Sequence, residues 1–303
     1  MRVLLLVNAT ASSVTARKRV MIRSTLAARH EVEVAETSRR GHATRLARAA
    51  ANDRFDVVAV LAGDGTLNEA ADGLLHTDTA LAPLPGGSTN VYARTLGINS
   101  DALDATHDLL SSLDRRMFKR IGVGIANRRP FLFHTGIGFD ASVIRRVERY
   151  GELKRYASHP LHVVAAFEAF FRKDGTRAHL EVELDTGETL DEVRFAIVSK
   201  TSPYTFLGRI PVRVTREARL DQPLALTAFR TLDAVTLLGG AASAMRTGRF
   251  LRRRAGVDNR SDLHRVIVRG AEPFPYQIDG DDVGDTERLD IAYEPDALTI
   301  VVP

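Results

Sequence analysis

The 303-residue chain has no cysteine. This excludes disulfide stapling, thiol nucleophiles, iron–sulfur clusters and cysteine-ligated zinc, and it fits a reducing compartment, most simply the cytoplasm. Long apolar runs are also missing. The first one, residues 3–7, stops at Asn8, too short for a signal-peptide core or a membrane span. Charge of one sign is scarce: 42 Lys and Arg stand against 38 Asp and Glu, a net +4, so composition gives no reason to expect a nucleic-acid partner. After the first predicted strand, where a dinucleotide-binding G-x-G-x-x-G would stand, the chain reads Asn8-Ala9-Thr10-Ala11-Ser12-Ser13, and no G-x-x-x-x-G-K-[ST] occurs. Rossmann and P-loop readings lose their support. The absence of H-E-x-x-H and G-x-S-x-G argues likewise against a zinc protease and a serine hydrolase.

What is present describes a soluble globular protein, 44% apolar and 26% charged, of a length that suits two domains. Strand-like runs at 3–7, 31–35, 57–62 and 81–84 alternate with helical periods. Val14, Met21, Ile22, Thr25 and Leu26 share one predicted helical face, as do Ala43, Leu46, Ala47 and Ala50, and then Leu67, Ala70, Ala71, Leu74 and Leu75. This βαβα order predicts a parallel sheet with helices on both faces, binding its ligand where loops leave the carboxyl ends of strands. After residue 120 the period changes. Runs at 121–126, 131–133, 179–184, 194–199, 212–215, 224–229, 264–269, 289–293 and 298–302 read as mainly antiparallel strands, interrupted by helices at about 160–172 and 232–250. The fold class expected is therefore α/β plus β: an α/β domain over 1–120, and a β-rich domain over 121–303 whose last strands return to the first.

Two loops carry the chemistry. Gly63-Asp64-Gly65-Thr66-Leu67-Asn68-Glu69 follows the third strand, and Pro85-Gly86-Gly87-Ser88-Thr89-Asn90 follows the fourth. Glycines at a strand's mouth, with a helix starting near Thr66, let backbone N–H groups approach a phosphate at the positive end of a helix dipole. Taken alone, Gly-Asp-Gly also reads as a tight turn whose Asp caps the helix. The second loop adds donors converging on the same crevice. Elsewhere, Arg246, Arg249, Arg252, Arg253 and Arg254 crowd together, a solvated face or a contact for an anionic membrane surface. Phe167, Phe170 and Phe171 read as part of a core helix or as the wall of an acyl channel, and His159 with His162 as a helix start.

These residues resemble the catalytic domain of the diacylglycerol and sphingosine kinase family. The likeness rests on Gly63-Asp64-Gly65-Thr66-x-Asn68-Glu69 with Pro85-Gly86-Gly87-Ser88-Thr89-Asn90-x-x-Ala93-Arg94-x-Leu96-Gly97-Ile98. Thr37 with Gly41-His42-Ala43, Gly136-Ile137-Gly138-Phe139-Asp140-Ala141, Thr201-Ser202-Pro203-Tyr204 and Asp279-Gly280-Asp281 extend it. The resemblance implies an NAD kinase- and phosphofructokinase-like α/β domain joined to a β-sandwich. It implies ATP and Mg²⁺ as cofactors, with Asn8, Thr37, Gly63, Asp64, Gly65, Thr66, Asn68, Glu69, Gly86, Gly87, Ser88, Thr89 and Asn90 lining the nucleotide. It further implies Asp281 as the base, with Asp64 sharing the catalytic work, and no assigned metal ligand.

The resemblance also implies a lipid substrate, and hence peripheral association of a cytoplasmic protein with an anionic membrane; a homodimer is left open. The chain departs from the family at Ala9 and Ala11, at Val91 where many members carry an acid, at Asp281 in place of Glu, and at Asp221-Gln222-Pro223, where bacterial relatives hold a structural magnesium on Asp-Asp-Gly. Two alternatives stay open: a kinase of a soluble substrate such as NAD, and a nucleotide-binding regulatory protein without turnover.

Overall fold

Leucine and β-branched runs bounded by glycine, asparagine and proline set the strand positions in a computed structural model that describes residues 1–138, 179–231 and 255–303. The helices expected at 160–172 and 232–250, with Phe167, Phe170, Phe171, His159, His162, the Arg246–Arg254 cluster and residues 139–141 of the glycine motif, lie outside the described residues. The chain forms two units. The first is Met1–Val123 with Glu294–Pro303, and the second is Gly124–Tyr293.

Unit 1 runs β1 (Arg2–Val7), α1 (Ala16–Ala27), β2 (Glu31–Glu36), α2 (His42–Asn52), β3 (Val57–Ala62), α3 (Asp64–Leu74), β4 (Ala80–Pro85), α4 (Val91–Thr95) and α5 (Ala102–Asp114). Its strands pair in parallel in the order β4-β3-β1-β2. The end of the C-terminal strand adds beside β4, Ile300 opposite Leu81. Every residue of β3 and β4 is buried, which is why they read as unbroken apolar runs: a parallel sheet covered on both faces leaves no polar side. Val3, Leu5 and Val7 pack with α1 and α5, while α2 and α3 pack on each other and reach β1, β3 and β4. The edge strand β2 instead exposes Glu31 and Glu33, both near the Arg2 guanidinium, and charge on an exposed edge discourages pairing with other chains.

The expected helical face of α1 needs correction. Ile22 and Leu26 are buried, but Met21 is 40% exposed, and Val14 precedes the helix. Neighbouring helical positions point about 100° apart, so Met21 and Ile22 cannot both face the sheet. Thr15 sets the helix start, its hydroxyl accepting from the Lys18 N–H.

Unit 2 is rich in antiparallel strands. β5 (Phe118–Ala126) enters it from unit 1, followed by β6 (Arg129–Phe131), β7 (His134–Gly138), β8 (Leu180–Leu184), β9 (Thr189–Val193), β10 (Phe195–Ser199), β11 (Thr205–Leu207), β12 (Ile210–Val212), β13 (Leu224–Phe229), β14 (Val257–Leu263), β15 (Arg265–Ile278) and β16 (Asp281–Val301). The path β14-β13-β10-β7-β15-β16 is antiparallel throughout, and β8 with β9 adds to β15. β11 and β12 form a separate hairpin. The two strands expected at 289–293 and 298–302 are one strand, and the run expected at 212–215 pairs only up to Val212. β9 and β14 were not expected: Thr-Leu-Asp-Glu-Val and Val-Asp-Asn-Arg-Ser-Asp-Leu are too polar to signal strands, and β14 is stitched by the ion pairs of Asp258 with Arg230 and of Arg260 with Glu188.

A buried cation organises one turn of this unit. Lys200 is fully buried after β10, and its Nζ donates to the carbonyls of Arg219, Leu220 and Gln222 at 3.2, 2.8 and 2.9 Å. Three donors meet three acceptors, which makes burial of an ammonium tolerable. In the Asp221-Gln222-Pro223 turn the cation facing these carbonyls is thus a lysine. Lys200→Met, leaving several buried carbonyls without donors, is expected to destabilise unit 2 by about 3 kcal/mol or more, while a chelator leaves the wild-type urea midpoint unchanged. A chelator-sensitive midpoint with a silent Lys200→Met would assign the turn to a bound metal instead.

Candidate active site

In unit 1 the parallel strands bring four loops to one edge of the sheet. β1 lies between β2 and β3, so the chain leaves it to one side and returns on the other. The loops after β1 and β3 therefore flank a crevice at the switch point of the sheet. Asn8 marks the junction: its N–H donates to the Leu61 carbonyl at 3.2 Å and its Nδ2 to the Thr66 hydroxyl at 3.1 Å. Its Oδ1 accepts from the Thr10 N–H and hydroxyl at 3.0 and 2.7 Å, an Asx-type turn that folds the glycine-free first loop. On the other side Thr37 closes β2, donating its N–H to Val7 at 2.9 Å.

The glycines are explained first by packing. A Cβ on Gly86 would stand 2.8 Å from the Ala62 nitrogen, and one on Gly87 would stand 2.8 Å from the Gly63 Cα. The second loop is thus laid backbone to backbone against the end of β3, tied by Gly86 N–H to the Ala62 carbonyl at 2.9 Å. Ser13 N–H donates to Gly86 at 3.1 Å and joins the first loop to the second. Asn90, in a left-handed conformation, closes the second loop by accepting from Gly87 N–H and donating to the Gly87 carbonyl, both at 2.8 Å. Exposed Ser88 and half-buried Thr89 spend neither N–H nor hydroxyl on any of the described residues.

Asp64 and Glu69 serve the frame. The Asp64 oxygens accept from the Val91 and Tyr92 N–H groups at 2.9 and 3.1 Å, so Asp64 caps α4 and leaves its own helix, α3, with no side-chain cap. Burial pushes the Asp64 carboxyl above its ordinary range, and the amides of Tyr92, Val91 and Asp64 itself pull it part of the way back. Glu69 accepts from the Gly41 and Ala43 N–H groups at 2.8 and 3.2 Å, and Asn68 is buried. α3 begins at Asp64, two residues before its expected start. Its first-turn N–H groups at Gly65 and Thr66 have no partner within the helix, and the Asp64 N–H meets its own carboxylate. Flanked by Asn8, Ser88 and Thr89, they form a cradle for a phosphate. Sequence reading missed Ser13 as the link between loops; its only signal was a serine two residues before a helix cap.

Asp281 stands in unit 2. Asp279 and Gly280, both with positive φ, make the two-residue turn between β15 and β16, with Ile278 opposite Asp281. The buried Asp279 carboxylate accepts from the Leu132, Phe133 and His134 N–H groups at 2.7, 3.0 and 3.0 Å, which fixes the turn that presents half-buried Asp281. Among the described residues no group of three or more His, Asp or Glu forms a metal site, and no helix is long and apolar enough to cross a membrane.

The diacylglycerol kinase catalytic domain family matches residues 2–119. The chain is 25% identical over 248 residues to an uncharacterized protein of Synechocystis sp., covering 80% of this chain and 53% of that one. It is 35% identical over 112 residues to the diacylglycerol kinase of Bacillus subtilis, 36% of each chain. The aligned segments thus span about half, or less, of these relatives. Among solved structures, a diacylglycerol kinase from Bacillus anthracis has a TM-score of 0.72 at 18% identity, covering 100% of this chain and 97% of its own. An NAD kinase from Archaeoglobus fulgidus in complex with ATP has a TM-score of 0.56 at 12% identity, covering 99% and 93%. These structural likenesses establish an NAD kinase-like fold, as the family resemblance led one to expect.

The packing separates two glycines of the motifs. Gly87→Ala places its Cβ against Gly63 and is expected to cost about 1–3 kcal/mol, as overpacking does. The Cβ of Gly63→Ala meets Gly87 at an ordinary 3.5 Å and should leave the melting temperature nearly unchanged. Equal melting temperatures for the two variants would contradict the packed arrangement.

Proposed function

We propose, from the premise that residues 2–119 carry a diacylglycerol kinase catalytic domain, that this chain is a kinase moving the γ-phosphate of ATP to the hydroxyl of diacylglycerol or a related membrane lipid. The observation that carries the nucleotide half is the uncapped N-terminus of α3 at the switch point, with Ser88 and Thr89 beside it. Its positive end suits phosphate oxygens, and Gly65 leaves room for their approach. In this reading Asn8, Thr37, Gly63, Gly65, Thr66, Ser88 and Thr89 bind or border the nucleotide, whereas Asp64, Asn68, Glu69, Gly86, Gly87 and Asn90 hold the loops in place.

Phosphoryl transfer asks for positioning and a carboxylate near the attacking hydroxyl. The lipid oxygen forms a bond to the γ-phosphorus, the bond to the β,γ-bridging oxygen breaks, and ADP leaves with that electron pair. Asp281 takes the hydroxyl proton. The role is the one that the family resemblance gives to Asp281, whereas the Asp64 oxygens accept from the main-chain amides of α4. Mg²⁺ would arrive on the phosphates and take most of its ligands from them and from water; Asp64 is the carboxylate at the cradle. A lipid acceptor implies work at a membrane surface, for which the Arg246–Arg254 cluster is the proposed contact.

The test is transfer of labelled γ-phosphate from ATP to a total lipid extract, beside NAD as a soluble acceptor. A labelled lipid supports the reading. Labelled NAD, or nucleotide binding with no transfer to either, would overturn it. Asp281→Asn is expected to lower turnover by about 10²- to 10⁴-fold with nucleotide affinity kept, the usual share of a general base. Gly65→Val should instead weaken nucleotide binding, read by equilibrium titration; full affinity in that variant would move the phosphates away from α3.

A further inference from the structure

Among the described residues of unit 2, three buried side-chain polar atoms have no hydrogen-bond partner: His134 Nδ1, Thr201 Oγ1 and Ser202 Oγ. Such atoms are rare, and each costs roughly 1–3 kcal/mol if nothing fills the gap. These three belong to one neighbourhood. Ser199 pairs with His134 in the β7–β10 ladder, and the N–H groups of Lys200 and Thr201 both donate to the Phe133 carbonyl, at 2.8 and 3.3 Å. The His134 ring stacks on Tyr204 with centroids 4.0 Å apart and meets Phe133 edge-on at 5.0 Å. His134 and Thr201 are 3% and 2% exposed, while Ser202 and Tyr204 are half-buried.

The neighbouring charges are already satisfied. The Asp279 carboxylate receives three main-chain N–H groups, and the Lys200 ammonium gives three hydrogen bonds to carbonyls. Burial pulls the His134 pKa down to about 3, so its imidazole is neutral at physiological pH. The unpartnered groups are one neutral ring nitrogen and two hydroxyls, with the Phe133 and Tyr204 rings against the imidazole. This chemistry suits neither a phosphate, which needs cations, nor an amine, which needs a carboxylate. It suits an uncharged hydroxyl or carbonyl.

The chain then leads directly into an apolar surface. Tyr204 N–H donates to the Val212 carbonyl at 2.9 Å, closing the base of the β11–β12 hairpin. That hairpin carries half-buried Phe206, Leu207 and Val212, and Ile210 is 49% exposed. An apolar surface beside unpartnered neutral polar groups fits a molecule with a hydrocarbon part and an uncharged head. We propose that His134, Thr201 and Ser202 form a recognition subsite for the uncharged hydroxyl or ester carbonyl of a neutral lipid, whose hydrocarbon lies on the β11–β12 hairpin. The subsite rests on the lipid-kinase reading and names the acceptor class that reading leaves open.

The experiment measures equilibrium binding of dioctanoylglycerol to the full chain without nucleotide, so that it does not depend on turnover. Removing the two hydroxyls with Thr201→Val and Ser202→Ala together should weaken binding by about tenfold or more, the scale of lost neutral hydrogen bonds. The melting temperature should hold or rise, because the deleted groups have no partner in the protein. Ile210→Asp, on the exposed hairpin, is expected to weaken binding at an unchanged melting temperature. Wild-type binding that both variants preserve would overturn the subsite, as would a lowered melting temperature with intact binding, the mark of a buried water. No binding by the wild-type chain would overturn it too. Dioctanoylglycerol bound as expected, yet never phosphorylated, would sink the kinase reading and leave the subsite standing.

Discussion

The backbone contact between the end of β3 and the loop after β4 is the constraint on which unit 1 depends. Gly87 lies where any side chain would strike Gly63, and Gly86 where one would strike Ala62. Two adjacent parallel strands can therefore end in loops that touch along their main chains. Once they touch, Asp64 reaches across to cap α4, and the N-terminus of α3 is left without a side-chain cap. The acid at this helix start shares its oxygens between its own amide and two amides of another helix, and the N–H groups of Gly65 and Thr66 stay without a helical partner.

Unit 2 solves a different problem, that of burying charge. Asp279 and Lys200 are both sequestered, and each is matched by three main-chain groups. Carboxylate and ammonium thereby become fasteners for irregular segments: Asp279 holds 132–134 beneath the β15–β16 turn, and Lys200 holds 219–222. Such pairing is what makes the unpartnered atoms at His134, Thr201 and Ser202 informative: among the described residues of the unit the buried charges are met by main-chain groups, and these three neutral groups are left over.

Much of unit 1 was legible because burial on both faces writes itself into the sequence. Val57–Ala62 is a strand at the bounds its apolar run predicted, and the two glycine loops stand at strand ends as expected. Side-chain direction was not legible. Nothing local in the sequence announces that Asp64 and Glu69 accept from the amides of α4 and of the start of α2, contacts set by tertiary packing. In unit 2 the polar strands β9 and β14 carry too little alternation to announce themselves, and the length of β16 is hidden because Asp285, Glu287 and Asp296 interrupt its apolar pattern. The turn at Asp279-Gly280 was visible from its residues, but nothing local revealed that Asp279 is the anchor and Asp281 the presented group.

The central claim is that a nucleotide's phosphates sit on the N-terminus of α3, and amide chemical shifts during ATP titration test it most directly. The account predicts saturable shifts concentrated at Gly63, Asp64, Gly65 and Thr66, with Ser88 and Thr89 moving at the same ligand concentrations. Saturable binding that leaves these amides still and moves another region would contradict it.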